Sequence, residues 1–132
     1  MSLPHSQPYD SVLDTIGGTP LVRVGRLAEG LRTPVYLKLE QFNPAGSVKD
    51  RIGVSIVDAA ERDGSLRPGG TIVEGTAGNT GLALAMVAAV RGYQCVFTVP
   101  DKMSSEKVQL LRAYGAEVVI VPTVGPDHPE YY

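Results

Sequence analysis

The chain has 132 residues, enough for about one ordinary domain, and its 43% hydrophobic and 20% charged residues give the balance of a globular protein. A net charge of −2 argues against a general nucleic-acid or anionic-membrane binder, and a lone cysteine, Cys95, excludes a disulfide framework and a Cys-based zinc site. The opening "MSLPHSQPYD" has no basic n-region or apolar h-region, and the most apolar run, 82–90, is too short to cross a bilayer, so no membrane partner is expected and a reduced cytoplasm is the default compartment.

Residues 1–9 read as a polar arm, and "YDSVLDTIGG" as a short helix stopped at Gly17-Gly18. "TPLVRV" is a short strand beginning after Pro20, "GRLAEGLRT" a loop with one helical turn, and "PVYLKLE" an alternating strand rich in β-formers. A helix follows over 48–63, capped by Ser47, with Asp50 three residues on in a near capping box and Gly64 as its stop. "TIVEG" (71–75) is the next strand. "GNTGLALAMVAAVRG" is a helix apolar all round, which predicts burial. "QCVFTVP" (94–100) is nearly continuously apolar, as central parallel strands are. "SSEKVQLLRAYG" is an amphipathic helix stopped by Gly115, "AEVVIVP" (116–122) another strand, and "TVGPDHPEYY" a loop after which the chain stops without a closing element.

The order β-α-β-α-β-α-β with short connections predicts a doubly wound α/β layer with a mostly parallel sheet. Ligands of such sheets bind where the carboxyl ends of strands meet the next loops. Two loops there are informative: "EQFNPAGSVK" and "EGTAGNTG".

The first loop delivers Lys49 to the first turn of a helix, where the dipole is positive and a cation is misplaced for stability. On a 100° wheel Arg51, Ser55, Asp58 and Arg62 form a polar stripe. Lys49 falls instead with Gly53, Ile56 and Ala60, which predicts that it faces the core, with Gly53 leaving space beside the lysine stem. Such a position favours a lysine's neutral, nucleophilic form, and lysines of this kind make Schiff bases with carbonyl compounds. The competing reading is a snorkelling side chain that escapes past the helix end to water.

The second loop sets Gly75, Gly78 and Gly81 around Thr76, Asn79 and Thr80 at the start of a buried helix. It is neither a dinucleotide fingerprint nor a P-loop. Backbone N–H groups uncovered by glycines at a helix N-terminus suit a carboxylate or phosphate; the alternative is a tight turn capped by Asn79 or Thr76. His5 and His128 have no spacing for metal ligation, Cys95 reads as core packing, and Asp58, Glu61, Arg62 and Asp63 as a solvated helix face.

Together the motifs "IGGTPLVRV" (16–24), "KLEQFNPAGSVKDRIG" (38–53), "GTIVEGTAGNTGLALA" (70–85), "VFTVPDKMSSEK" (96–107) and "LRAYGAEVVIVP" (111–122) resemble the cysteine synthase and cystathionine β-synthase family. That family uses pyridoxal phosphate on the tryptophan-synthase-β-like fold. The resemblance implies a three-layer sandwich with a mostly parallel sheet, here incomplete at the C-terminus, so that residues 1–132 are the N-terminal part of the enzyme with its mobile substrate-side domain. It implies that Lys49 holds pyridoxal 5'-phosphate as a Schiff base and later moves the α-proton. Asn79 would bond the cofactor's ring hydroxyl, and Thr76, Ala77, Gly78, Asn79 and Thr80 would receive the substrate's carboxylate. The loop often reads Thr-Ser-Gly-Asn-Thr-Gly in the family; here Ala77 replaces the serine. The phosphate cup and the pyridine-nitrogen partner are expected beyond residue 132.

The reaction implied is β-replacement on an activated serine: O-acetylserine plus sulfide to cysteine, in a cytoplasmic homodimer with no nucleic-acid partner. Alternatives within the class are condensation of serine with homocysteine, a thiol nucleophile, as in cystathionine β-synthase, or cysteine desulfhydration. From another class, the alternative is a non-catalytic truncated interaction module, and the isolated chain is expected to be inactive.

Overall fold

The structure is a computed structural model that describes residues 8–76, 78–125 and 127–128. The polar arm and His5 lie almost wholly outside these, as do Ala77 and the last residues of the tail.

The first helical segment is a single 3-10 turn, Val12–Thr15, closed by a reciprocal capping box between Ser11 and Asp14. Strand β1, Leu21–Arg23, and strand β2, Tyr36–Lys38, pair with each other antiparallel, Val22 opposite Leu37. A 3-10 turn, Arg26–Ala28, lies between them where one helical turn was expected. The sequence order placed β2 at the head of a run of βαβ units, but β2 does not join the parallel sheet. All three of its residues are exposed and its apolar residues alternate, which suits an antiparallel ribbon rather than a strand buried on both faces.

The parallel sheet is β3 (Thr71–Gly75), β4 (Gln94–Pro100) and β5 (Glu117–Val121), in the order β3-β4-β5. Ile72 pairs with Cys95 and Phe97 with Val118, so the apolar side chains of the strands fall in register on one face. Helices α1 (Lys49–Asp63), α2 (Asn79–Arg91) and α3 (Ser105–Ala113) form one layer over that face. Cys95, Phe97 and Val99 point into the core beneath α2, together with Val57, Val108 and Leu111. The central helix α2 is buried from Gly81 to Ala88 because it has the sheet below and a helix on each flank; this is why its sequence is apolar all round. The described residues thus supply two of the three expected layers, and the opposite face of the sheet displays Val73 and Val119 to solvent.

Helices α1 and α2 run in the same direction. Gly53 of α1 meets Ala83 of α2, and further along both helices Asp58 and Glu61 bind Arg91. A Cβ on Gly53 would lie 2.9 Å from the Ala83 carbonyl carbon and 2.9 Å from its Cβ, so only glycine permits this approach. The N-termini of α1 and α2 consequently lie at the same end of the helix layer. That is also the carboxyl end of β3, since Gly75 and Thr76 lead directly into α2.

Candidate active site

Lys49 is the first residue of α1 and is half-buried. It is preceded by the 3-10 turn Glu40–Phe42 and by an irregular loop, 43–47, in which Gly46 has a φ of +85°. Among the described residues its amine makes no hydrogen bond and no ion pair.

Its surroundings differ from the wheel reading. The buried residues of α1 are Asp50, Gly53 and Val57, whereas Ile56 is 47% exposed and Ala60 only half-buried. The core stripe is therefore rotated by one residue, and Lys49 flanks it. A wheel that scores hydrophobicity assigns a carboxylate to solvent; Asp50 is buried because loop donors need its oxygens. The space beside Gly53 does not serve the lysine stem, because the Ala83 backbone fills it. Asp58 and Glu61 are likewise more than a solvated face: Asp58 Oδ1 lies 2.7 Å and Glu61 Oε2 3.1 Å from Arg91 Nη1, and Tyr93 donates to Glu61 at 2.7 Å.

The loop before Lys49 is held by a polar network that sequence reasoning missed. Asn43 is 3% exposed and accepts from the Gly17 N–H at 2.9 Å. Its amide donates to the Glu40 carbonyl and to Glu40 Oε2, both at 2.9 Å, and to the Ser47 carbonyl at 3.0 Å. Arg51 clasps both oxygens of Glu40 at 2.9 and 3.0 Å, and the Thr19 hydroxyl donates to the same carboxylate at 2.7 Å. Arg51 first, then Thr19 and Asn43, hold the Glu40 carboxyl down at about 2, against a smaller opposing effect of desolvation. The available signal was the Asn-Pro pair opening the loop and the acid three residues past Ser47.

The N-cap of α1 is Val48 rather than Ser47, but the Ser47 hydroxyl oxygen still accepts from the Lys49 N–H at 3.1 Å. The reciprocal half of the capping box is altered. Asp50 does not reach back to the Ser47 N–H but two residues further, to the Ala45 N–H at 2.6 Å.

At the second loop Thr76 is buried, two residues before the N-cap of α2, Gly78. Its hydroxyl oxygen accepts from the Gly78 N–H at 3.4 Å and the Gly81 N–H at 3.2 Å, while its own N–H completes the sheet to the Thr98 carbonyl at 3.1 Å. Gly81 is required there: a Cβ would sit 2.5 Å from Thr76 Cγ2. Neither Asn79 nor Thr76 is the N-cap, which is Gly78; the Thr76 hydroxyl takes up two N–H groups of the turn and leaves donors over. The N–H groups of Asn79 and Thr80, in the first turn of α2, find no acceptor among the described residues, and neither does the Asn79 side-chain amide. The Thr76 hydroxyl, accepting twice, keeps its proton for a third partner. Asn79 is exposed, and Gly78 and Thr80 are half-buried. Ala77 lies outside the described residues.

The structure therefore sets a primary amine at the start of α1 and, at the start of α2, a set of donors without an acceptor among the described residues, on one side of the molecule. Both dipoles point their positive ends there, which suits a ligand carrying negative charge. Cys95 takes no part. It is buried beneath α2, and desolvation pushes its thiol up to about 11.

A family profile described as pyridoxal-phosphate dependent enzyme matches residues 12–132. The chain is 51% identical over 116 residues to a cysteine synthase of Staphylococcus aureus, covering 88% of this chain and 37% of that protein. Its backbone matches the crystal structure of an O-ureido-L-serine synthase with a TM-score of 0.83 at 54% identity, covering 88% of this chain and 36% of that one. It matches a cysteine synthase from Entamoeba histolytica with a TM-score of 0.86 at 44% identity, covering 92% and 37%. The chain thus spans little more than a third of the length of these relatives.

Proposed function

Since the chain belongs to the family of pyridoxal-phosphate-dependent enzymes, we propose that it forms the N-terminal, substrate-side part of a cysteine synthase-like enzyme, which exchanges the β-substituent of an O-activated serine for sulfide. The likeness to cysteine synthases supports this choice of reaction. The observation that carries the site is the parallel docking of α1 and α2, which puts Lys49 and the Asn79 and Thr80 N–H groups, without an acceptor among the described residues, at one end of the helix layer.

The donor set fits the cofactor. Lys49 offers a half-buried amine with no partner among the described residues, and Asn79 an uncommitted amide beside it in the fold. Lys49 would hold the aldehyde carbon and Asn79 the ring hydroxyl. The phosphate and ring-nitrogen partners belong to sequence beyond residue 132. Pyridoxal phosphate, when bound, supplies an electron sink for charge developing at the substrate's α-carbon.

The chain's own residues do the rest. The Asn79 and Thr80 N–H groups, with the Thr76 hydroxyl proton, receive the substrate's carboxylate at the positive end of α2, and Ala77 and Gly78 lend the backbone of the same loop. This anchors the α-carbon with one face toward the start of α1. The Lys49 amine would take the proton from that carbon, and orientation would supply much of the rate. In this reading the complete protein is a cytoplasmic homodimer; no helix among the described residues is long and apolar enough to cross a membrane.

The test is chemical. The purified protein, incubated with pyridoxal phosphate and reduced with borohydride, should carry the pyridoxyl group on Lys49, and Lys49→Ala should remove it without loss of fold. In the complete protein the same change should abolish turnover of O-acetylserine with sulfide. Labelling on Lys38, Lys102 or Lys107 instead would overturn the assignment.

A further inference from the structure

The loop that carries Lys49 owes its shape to two buried side chains that the proposed reaction does not itself use. Asp50 is 0% exposed. A carboxylate beside a helix start could satisfy itself on that helix's own N–H groups. Asp50 turns both oxygens back into the loop instead. Oδ2 accepts from the Ala45 N–H at 2.6 Å, a short charge-assisted bond, and Oδ1 accepts the Ser47 hydroxyl at 3.4 Å. Ser47 Oγ in turn accepts the Lys49 N–H at 3.1 Å. The carboxylate is thus linked through one hydroxyl to the backbone of the lysine, and none of the ion pairs joins it to the lysine's amine. From the other side Asn43 ties the same loop to the Gly17 N–H, 26 residues back, and to the Ser47 carbonyl.

We propose that Asp50 and Asn43 are positioning residues for Lys49. Between them they lock 43–47 into one conformation and so fix the direction in which the lysine amine leaves the start of α1 toward the start of α2. The inference rests on the reading of Lys49 as the cofactor lysine. Its physical basis is donor accounting. The Ala45 N–H that Asp50 accepts and the Ser47 carbonyl to which Asn43 donates would otherwise need water as their partner, so removing either side chain lets the loop re-form around a different set of bonds. A displacement of about 1 Å at a reacting group can cost on the order of 100-fold in rate.

The experiment compares the borohydride-trapped labelling rate of Lys49 by pyridoxal phosphate with that of Lys102, an exposed lysine distant in the chain, within each sample by peptide mass mapping. Asp50→Ala and Asn43→Ala should lower the Lys49:Lys102 ratio by roughly 10- to 100-fold, in line with that displacement. Asp50→Asn, which keeps an oxygen for the Ala45 N–H, should recover most of it. A merely structural role would slow nothing selectively at Lys49 in a folded variant. If Asp50→Ala or Asn43→Ala does not fold by circular dichroism, Ser47→Ala decides. It deletes only the linking hydroxyl, and a drop of about 10-fold in the ratio supports the proposal. An unchanged ratio in folded Asp50→Ala or Asn43→Ala, or in Ser47→Ala where it decides, overturns the positioning role. Equal labelling of Lys49 and Lys102 in the unaltered protein would overturn the reading of the site itself, a distinguishable result.

Discussion

Gly53→Ala tests whether the two helix starts are brought together by close packing. The added Cβ would lie 2.9 Å from both the carbonyl carbon and the Cβ of Ala83 and 3.1 Å from its carbonyl oxygen. Two of these three atoms are backbone, so no rotamer change relieves them, and α1 must move off α2. Overpacking of this kind costs about 1–3 kcal/mol, and the better helix propensity of alanine returns about 1 kcal/mol. The net loss is then about 0–2 kcal/mol, a fall in Tm of up to roughly 10 °C in a chain of this size. Ala83→Gly in the same background removes only the Cβ contact and should rescue in part. Thermal unfolding followed by circular dichroism gives the stability, and labelling of Lys49 by pyridoxal phosphate reports the site, which should weaken as the helices separate. A Gly53→Ala protein as stable as its parent, or more so, with Lys49 labelled as before, would refute the packing argument.

Thr76→Val should destabilise α2 by about 1–2 kcal/mol, the usual worth of a side chain that takes up N–H groups at a helix start, and weaken amino-acid binding, whereas Thr76→Ser should behave nearly as the parent in both denaturation and substrate titration. In the folded state the Glu40 carboxyl is lowered to about 2 from its ordinary 4.5, so its contribution to stability is present above about pH 4.5 and is lost as pH falls toward 2. The Tm difference between the parent and Glu40→Gln should therefore shrink across that window, and a difference independent of pH would contradict the Glu40–Arg51 clasp. Cys95, buried and with its thiol raised to about 11, should resist iodoacetamide at pH 8 until the chain is denatured; rapid alkylation of the native protein would show that the core beneath α2 is open.

Local pattern was enough to determine most of the elements and to single out two loops. Strands 71–75 and 94–100 fall where β-branched and aromatic runs end at turn residues, and the uniformly apolar 79–91 could only be a helix enclosed on several sides. Lys49 and the Thr76–Thr80 loop stood out as candidates because an amine and a glycine-flanked set of donors are unusual at helix starts, and the family resemblance rests on the same motifs.

Tertiary structure decided what those residues face. That β2 leaves the parallel sheet for β1 depends on a pairing choice between distant segments, which no local pattern encodes. The rotation of the α1 core stripe onto Asp50, Gly53 and Val57 depends on which atoms of α2 and of the preceding loop approach the helix. Burial of Asn43 and Asp50 was hidden for the same reason. A polar side chain reads as surface until its hydrogen-bond partners are known, and those partners are backbone groups such as Gly17 N–H and Ala45 N–H, whose availability is set only when the chain folds back on itself.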